Sequence, residues 1–400
     1  MHTTLEIFFW ILILLIFHTY LFFPLFLVSY YRKNNKIYSS KSTDYPISIV
    51  MAAYNEERVI KNKLESIFDT DYPQQNIELL IGSDNSIDAT DLIINTFIEE
   101  HPELNIKFTK FGSRTGKINI VNQLVSQTTG KYLIITDANV MFDKQTLTEL
   151  IKPFENQEIG LVDTHMMNTG IRKEGISYQE STYISMEVKI KNAESQLWGT
   201  MMGPFGGCFA IRKELFQPIP STYLVDDFYI NMKIFEQDYK AINNMNARVY
   251  EDVSNDLAVE FRRKIRISTG NFQNLSHFCF LLNPFHKKMR KLKTLHSFWL
   301  SFCFVSHKAL RWNVPFFIVI SYLIISLLVS EKFYFVLHLL YSATFLIPLV
   351  DLLLRKIGVH ITLVRFLTHF YSMNLALMLG FFKYIKGVKS NVWQPTQRHQ

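Results

Sequence analysis

The chain of 400 residues is 48% hydrophobic, contains 34 Phe and has a formal net charge of +7. These averages hide a division: residues 1–31 contain one charged side chain, Glu6, and residues 312–350 contain two, Glu331 and Lys332. Residues 41–275 have an ordinary mixture of charged and apolar side chains. The division excludes a purely soluble chain and a disordered one. Three cysteines are too few for a disulfide scaffold.

The N-terminal apolar run predicts a membrane anchor. Residues 5–28 are long enough to cross the ~30 Å hydrocarbon layer of a bilayer. The positive charges Arg32, Lys33 and Lys36 follow the run, whereas a cleaved signal peptide would carry its positive charge before it. We therefore expect residues 1–40 to form a retained anchor and linker, with the N-terminus outside and the following residues in the cytoplasm.

The C-terminal third carries further apolar runs. Residues 314–329 and 333–354 are joined by a very short charged link, so they predict a helical hairpin. A third run, residues 366–382, is short for a span. We expect it to lie in the membrane interface or to re-enter, because a crossing would place the basic tail outside, against the positive-inside rule. Residues 313–382 are thus the predicted C-terminal transmembrane region, and residues 383–400 are a basic tail.

A basic cluster precedes this region. Residues 287–293 contain five Lys and Arg side chains, and in residues 295–312 Phe and Trp mix with His, Lys and Arg. This composition predicts an amphipathic helix over residues 286–312 that lies on an anionic membrane surface. The alternative is nucleic-acid binding, which we discount because the cluster adjoins membrane segments and has no recognition motif. Membrane lipids are therefore an expected partner, and nucleic acid is not.

The middle of the chain alternates strand and helix signals. Apolar runs rich in β-branched residues predict strands at residues 47–52, 77–81, 106–109 and 131–136, and helical periodicity is present at residues 60–67, 93–97 and 117–125. Such alternation predicts an α/β domain with a mostly parallel sheet over residues 41–285. In sheets of this kind, ligands bind outside the carboxyl ends of the strands. The polar residues that follow the predicted strands are therefore the candidate site.

Carboxylates and amides follow these strands. The absence of a Gly-x-Gly-x-x-Gly sequence and of a phosphate loop argues against a dinucleotide domain and a P-loop ATPase. Asp84 follows the second strand, and Asp137 and Asn139 follow the fourth. Oxygen ligands of this kind suit Mg²⁺ or Mn²⁺, which keep positions open for substrate phosphates. Taken alone, each residue fits a simple turn better, since Asp and Asn favour chain corners.

Taken in order, the motifs resemble the family 2 glycosyltransferases, which are inverting enzymes with a GT-A fold. The matching segments are residues 49–57 (IVMAAYNEE), 83–90 (SDNSIDAT), Gly116-Lys117 with Asn122, 136–139 (TDAN), 206–212 (GGCFAIR), 225–227 (VDD) and 263–266 (RKIR). The resemblance covers residues 45–275. The flanking membrane segments, residues 306–312 and the tail motif at residues 393–398 resemble the membrane-bound branch, which includes cellulose synthase-like and ceramide glucosyltransferase-like enzymes.

The resemblance implies a role for each matching residue. Asp227 would be the general base that takes the proton of the acceptor hydroxyl. Asp137 and Asn139 would hold Mg²⁺ or Mn²⁺ on the donor diphosphate. The nucleotide sugar would be bound by Ala53, Tyr54, Glu56, Asp84, Lys117 and Asp137. The acceptor and diphosphate region would comprise Gly206, Gly207, Asp226, Arg263 and Arg266.

Two departures from the family pattern matter. Asn139 stands where the family often has Asp, so we expect a lower metal affinity, or a metal held mainly by Asp137 and the phosphates. Processive synthases carry Gln-x-x-Arg-Trp, whereas this chain has Arg263 and Ile267 at the Gln and Trp positions. An Ile side chain cannot stack on an acceptor sugar. This departure argues against a cellulose- or hyaluronan-type polymerase.

The sequence therefore predicts a multi-pass glycosyltransferase of the cell membrane with a cytoplasmic catalytic domain. It would transfer one sugar from a UDP- or GDP-sugar to a hydroxyl of a lipid-linked or membrane-proximal glycan acceptor. Two alternatives stay open, a processive polysaccharide synthase and a catalytically silent scaffold that retains the fold. Asp84, Asp137 and Asp227 argue against the scaffold. A transporter is less well supported, because the C-terminal spans carry no ionisable relay through their middles.

Overall fold

The computed structural model describes residues 2–31, 45–169, 177–252, 256–292, 294–388 and 390–392. The charges predicted to follow the anchor, Lys293 of the basic cluster and the tail motif at residues 393–398 lie outside the described residues. The strands are β1 (Ile47–Ala53), β2 (Ile77–Ser83), β3 (Ile106–Lys110), β4 (Tyr132–Asp137), β5 (Met141–Phe142), β6 (Ile159–Thr169), β7 (Cys208–Arg212) and β8 (Lys240–Asp252).

The helices before β7 are α1 (His2–Phe17), α2 (Phe23–Tyr31), α3 (Ile60–Phe68), α4 (Thr90–Glu100), α5 (Lys117–Val125), α6 (Thr146–Ile151) and α7 (Ser177–Trp198). Those after β7 are α8 (Asp226–Glu236), α9 (Leu257–His277), α10 (Thr294–Cys303), α11 (Leu310–Leu327), α12 (Lys332–Phe345), α13 (Ile347–Lys356) and α14 (Thr362–Ile385).

The strands form one eight-stranded sheet in the order β3-β2-β1-β4-β7-β6-β8-β5. β1 lies parallel between β2 and β4, and β3 is parallel to β2. β7 is antiparallel to β4 and β6, whereas β6 and β8 are parallel. The predicted α/β class with a mostly parallel sheet is confirmed. The four strands expected from the apolar runs are present as β1 to β4.

The central strands are buried on both faces because helices cover the sheet from both sides. All seven residues of β1 are buried, and so are all seven of β2, as parallel strands with two covered faces require. Val50 packs in one apolar cluster with Ile118, and Ile49 packs in a second cluster with Ile60. Successive side chains of a strand point to opposite faces of the sheet, and here both faces are buried. Polar side chains that must reach solvent or a ligand therefore lie where the strands end. The carboxyl ends of β1 and β4 thus become the site of functional groups.

Three helices in the described part of the chain are long and apolar enough to cross a membrane: His2–Tyr31, His296–Leu327 and Lys332–Lys356. The second differs from the expectation, because the predicted interfacial helix and the first hairpin span are one continuous helix with a π-helical turn at Phe304–Ala309. The domain boundary expected after residue 312 therefore falls inside a helix. Lys308 and Arg311, expected at lipid headgroups, instead pair with a carboxylate of the catalytic domain. The other boundaries, and the position of α14 relative to the membrane, stay predictions.

The apolar helices pack directly on the catalytic domain. Phe23 of α2 is buried in a cluster with Ile190 of α7. Thr19 Oγ1 donates a hydrogen bond of 2.9 Å to the carbonyl oxygen of Ser306, within the π-helical turn. The N-terminal helix therefore contacts both α7 and the helix that contains α11, at Phe23 and Thr19.

Candidate active site

A cleft of about 1340 Å³ opens at the carboxyl ends of β1 and β4. One side is made by these strand ends and by the first residues of α5 and α8, and the other by α7, α9 and the start of α11. Most of the predicted site residues line it: Glu56, Lys117, Asp137, Asn139, Gly206, Gly207, Asp226, Asp227, Arg263 and Arg266. The fold thus gathers motifs that lie more than a hundred residues apart in the sequence into one cavity.

Lys117 lies between two carboxylates at the centre of the cleft. Its Nζ is 2.8 Å from Asp137 Oδ1 and 3.4 Å from Asp226 Oδ2. Asp137 ends β4, Asp226 begins α8 and Lys117 begins α5, so one ammonium group connects three elements. Burial alone would lower the pKa of Lys117, but the charges of Asp137, Asp226 and Asp227 outweigh burial and raise it. Lys117 is therefore a permanent cation at neutral pH.

Asp227 is held against the backbone of a glycine. Its Oδ1 accepts a hydrogen bond of 2.7 Å from the Phe228 N–H, and a Cβ atom on Gly206 would lie only 2.5 Å from its Oδ2. Gly206 also has a φ of +81°, which side-chain-bearing residues rarely adopt. Burial, and then the charge of Asp226, raise the pKa of Asp227 to about 7, although Lys117 opposes the shift. A carboxylate with such a pKa is suited to accept a proton from a substrate.

Oxygen ligands for a divalent cation lie beside Asp137. Asn139 Nδ2 donates to Glu251 Oε1 at 3.2 Å, which leaves the Asn139 amide oxygen available and brings a carboxylate from β8 beside it. Asp226 Oδ2 is buried and accepts no hydrogen bond from any described residue. These acids outnumber the cation Lys117, and the surplus negative charge fits Mg²⁺ or Mn²⁺. No three His, Cys, Asp or Glu side chains of the described residues enclose a metal by themselves, so the ion would share its ligands with a bound diphosphate.

Three predicted residues do not line the cleft. Ala53 faces the core because side chains alternate along β1, and its neighbour Ala52 lines the cleft instead. Asp84 is fully buried and accepts a hydrogen bond of 2.9 Å from Arg114 Nε. The Arg114 guanidinium also covers the Tyr54 ring, with its Cζ 3.2 Å from the ring centroid. The structure therefore does not bring Ala53, Tyr54 or Asp84 to the cleft surface, and their contacts with a nucleotide stay a prediction.

The α9 wall supplies cations. Arg263 Nη1 lies 3.4 Å from Glu260 Oε1, whereas no described carboxylate pairs with Arg266 within 4.0 Å. Burial, and then the like charge of Arg263, lower the pKa of Arg266. Ile267 lines the cleft next to it, at the position where processive synthases carry Trp. Arg266 is thus a partly buried cation that is available to an anionic ligand.

The wall formed by α7 was not predicted from the sequence. Glu187 lines the cleft, pairs with Arg311 at 2.5 Å and also binds Lys308. Glu180, Glu187 and Glu194 are all buried. They recur every seven residues, which places them on one face of a helix. That spacing of acids in an otherwise mixed helix is the signal that could have identified this wall.

The C-terminal part of the chain also reaches the cleft. Asn391 and Val392 line it, and a Cβ atom on Gly116 would lie 2.1 Å from Asn391 Oδ1. Gly116 has a φ of +86° directly before α5. A glycine there both permits the turn into the helix and admits the Asn391 side chain. Nothing in the sequence around Asn391 predicts this contact.

Residues 48–219 match the family model described as "Glycosyl transferase family 2". The chain contains a family 2 glycosyltransferase domain. The matched range includes Lys117, Asp137, Asn139 and Gly206, and it ends before Asp227.

Curated relatives of the family 2 domain are distant. The poly-beta-1,6-N-acetyl-D-glucosamine synthase of Staphylococcus epidermidis is 24% identical over 282 residues, which cover 65% of this chain and 66% of the relative. The beta-monoglucosyldiacylglycerol synthase of Synechocystis is 22% identical over 243 residues, covering 58% of this chain and 50% of the relative. The matches thus span about half to two thirds of the length of these relatives.

A solved structure resembles nearly the whole chain. The mannosyltransferase PcManGT from Pyrobaculum calidifontis, in complex with GDP-Man and Mn²⁺, matches with a TM-score of 0.69 at 18% identity. The match covers 94% of this chain and 99% of that one. The likeness shows a common fold, so the expected GT-A fold around the family 2 domain is confirmed.

Replacing Gly206 tests the contact with Asp227. We expect Gly206→Ala to destabilise the protein by roughly 1–3 kcal/mol, because the new methyl group would overlap the Asp227 carboxylate and the backbone would be strained. Gly112→Ala is the matched control, since a methyl group there would meet no atom within 4 Å and Gly112 is absent from the glycines with positive φ. Thermal unfolding of the detergent-purified variants measures the difference. An equal loss of Tm in both variants would contradict a close contact between Gly206 and the Asp227 carboxylate.

Proposed function

We propose that the chain is a membrane-anchored inverting glycosyltransferase. It transfers a single sugar from a UDP- or GDP-sugar to a hydroxyl of a lipid-linked or membrane-proximal glycan acceptor. The observation that carries the proposal is the position of Asp227, a partly buried carboxylate with a pKa near neutrality, in the same cleft as the Lys117–Asp137 pair. A base and a cation-binding acid facing one cavity are the two groups that glycosyl transfer to a hydroxyl requires.

Asp227 acts as the general base in this mechanism. A sugar hydroxyl is a weak nucleophile, so the carboxylate takes its proton while the oxygen attacks the anomeric carbon. One displacement on the face opposite the leaving group inverts the anomeric configuration. Gly206 positions Asp227, and Asp226 keeps the Lys117 ammonium directed toward the leaving group.

The leaving nucleoside diphosphate gains negative charge as the glycosidic bond breaks. Asp137, Asn139 and Glu251 would hold the Mg²⁺ or Mn²⁺ ion that neutralises part of this charge. Lys117 and Arg266 supply fixed positive charge beside it. The complex of PcManGT with GDP-Man and Mn²⁺ supports a divalent ion and a nucleotide sugar as the ligands of such a site.

The three apolar helices anchor the enzyme in the cell membrane, with the catalytic domain in the cytoplasm, where nucleotide sugars are made. The cleft extends to Lys308, Arg311 and Trp312, in the same helix that continues as an apolar segment. An acceptor held in the bilayer can therefore enter the cleft from its membrane end. The glycolipid-forming relative from Synechocystis supports an acceptor of this class.

A processive polysaccharide synthase is the second candidate, and the poly-beta-1,6-N-acetyl-D-glucosamine synthase relative favours it. Ile267 lines the cleft where a processive enzyme carries an aromatic ring. Transfer of one sugar agrees better with this aliphatic side chain. The length of the product separates the two candidates.

Replacing the proposed base tests the function directly. Asp227→Asn is expected to lower kcat by roughly 10²–10⁴-fold with little change in donor KM, because the amide cannot take the proton. Asp238→Asn, in the turn after α8 and outside the cleft, is the matched control and should retain activity. The assay supplies purified protein in native lipid with a panel of UDP- and GDP-sugars and Mn²⁺ or Mg²⁺, and products are sized by mass spectrometry. Undiminished transfer by Asp227→Asn would remove Asp227 as the base, and long products would favour the processive candidate.

The pH profile provides an independent test. Burial and Asp226 raise the pKa of Asp227 to about 7, and only the ionised carboxylate accepts a proton. The rate should therefore fall as the pH falls through this region, with the midpoint at or below 7 because a bound cation favours ionisation. Asp226→Asn removes a like charge and should move the midpoint to lower pH. A midpoint that is unchanged in Asp226→Asn would contradict the assignment.

Metal affinity tests the ligand set. Asp137→Asn should weaken Mn²⁺ binding at least about tenfold in the presence of UDP or GDP, because it removes the carboxylate that begins the site. Asn139→Asp should strengthen binding, since it adds a negative ligand beside Glu251. Mn²⁺ affinity can be measured by electron paramagnetic resonance, with Asp238→Asn as the control. Equal affinities in all four proteins would exclude the proposed ligands.

A further inference from the structure

The two ends of the cleft have opposite charge. At the donor end, the three carboxylates of Asp137, Asp226 and Asp227 exceed the two cations that face them, Lys117 and Arg266. At the membrane end, the balance is reversed. The proposed cation accounts for the first imbalance, whereas nothing in the proposed reaction so far accounts for the second.

The membrane end is built around one shared carboxylate. Arg311 Nη1 lies 2.5 Å from Glu187 Oε2, and Lys308 Nζ binds Glu187 Oε1. The ring of His307 lies between Glu187 and Glu194, at 2.9 and 2.7 Å. Glu194 is thus engaged by His307, whereas Lys308 and Arg311 share the one carboxylate of Glu187. Two basic side chains therefore meet a single carboxylate at this place.

Arg311 is also incompletely satisfied. Its side chain lines the cleft, the residue is only 8% exposed, and its Nε–H is buried without a hydrogen-bond partner among the described residues. Native structures seldom leave a buried donor unpaired, because the desolvation is not compensated. A surplus cation and a free guanidinium donor at one place fit an anionic ligand with several oxygens.

Two aromatic side chains lie between Arg311 and Asp227, the proposed base. Trp312 follows Arg311 in the helix and lines the cleft. Its ring centroid is 5.4 Å from that of Phe228, the residue after Asp227. Trp312 is only 5% exposed, so it borders the path from Arg311 to Asp227 without offering an open ring face. An acceptor with an anion at Arg311 can thus pass Trp312 and extend toward Asp227.

We propose that the acceptor is an anionic lipid whose phosphate group binds Lys308 and Arg311. This inference rests on the proposed function, and it adds the chemical class of the acceptor. A phosphate ester matches the guanidinium fork, and a lipid anchor places it at the end of the apolar helix. The phosphate positions the acceptor, while the hydroxyl that attacks the donor belongs to the group beyond it. Free inorganic phosphate presents the same oxygens without the alkyl chain, and the experiment separates the two sources.

Binding of labelled dodecyl phosphate to the detergent-purified full chain tests the proposal without depending on sugar transfer. Arg311→Gln and Lys308→Gln should each weaken the Kd about tenfold or more, because a hydrogen bond to a charged group is lost. Arg311→Lys should lie between them and the parent chain. Arg355→Gln is the matched control, since Arg355 pairs with Asp351 and does not line the cleft. Its Kd should stay within about twofold of the parent value, as should UDP or GDP binding by Arg311→Gln.

The competitors decide the ligand class. Unlabelled dodecyl phosphate should displace the label, whereas dodecanol and inorganic phosphate should displace it at least about tenfold less effectively. Equal displacement by dodecanol would overturn the anionic class, and equal displacement by inorganic phosphate would overturn the lipid source. An unchanged Kd in Arg311→Gln would overturn the site, provided that its Tm shows a folded protein. Asp227→Asn should retain binding of dodecyl phosphate, so loss of transfer and failure of this inference are distinguishable.

Discussion

The Lys117 ammonium is the interaction on which the site depends. The end of β4 and the start of α8 each present a carboxylate to the same space, and two such charges would repel one another if nothing lay between them. Placing a cation at the first residue of α5 lets both elements converge. The convergence brings Asp227 to the cleft beside Asp226, and Gly206 to the surface of Asp227. The position of Asp227, the proposed base, thus depends on the contacts of Lys117 with Asp137 and Asp226.

The two ends of the cleft differ in charge, and each end suits a different substrate of the proposed reaction. Its acid-rich end suits a metal ion on a diphosphate, and its surplus of cations near α11 suits a phosphate on a lipid. Asp227 lies between them, with the aromatic rings of Phe228 and Trp312 on the membrane side. The proposed donor and the proposed acceptor are both anionic, so opposite charge at the two ends of the cleft would keep each substrate from the other's site.

The sequence predicted the parts of the site that lie where a strand ends or a helix begins. Asp137 ends an apolar run and Lys117 begins a helix, so their position at the sheet edge comes from local pattern alone. Pattern could not predict which neighbour faces the cleft: Ala53 packs in the core, whereas Ala52, which is also largely buried, lines the cleft. It also could not predict the pairing of Glu187 with Arg311, 124 residues away, because tertiary packing sets that contact.

The packing of Phe23 and Thr19 against α7 and the π-helical turn has a mechanical consequence. The helix His2–Tyr31 has 30 residues, or roughly 45 Å at ~1.5 Å per residue, which exceeds the ~30 Å of a bilayer core. In the proposed anchor, the helix would therefore extend beyond the hydrocarbon layer, and the contacts of Phe23 and Thr19 would hold the catalytic domain at a fixed distance from it. Inserting a residue into that helix would shift the domain by ~1.5 Å and turn it by ~100°. For the proposed function, the length of this helix would thus set how far from the bilayer the reactive hydroxyl of an acceptor can lie.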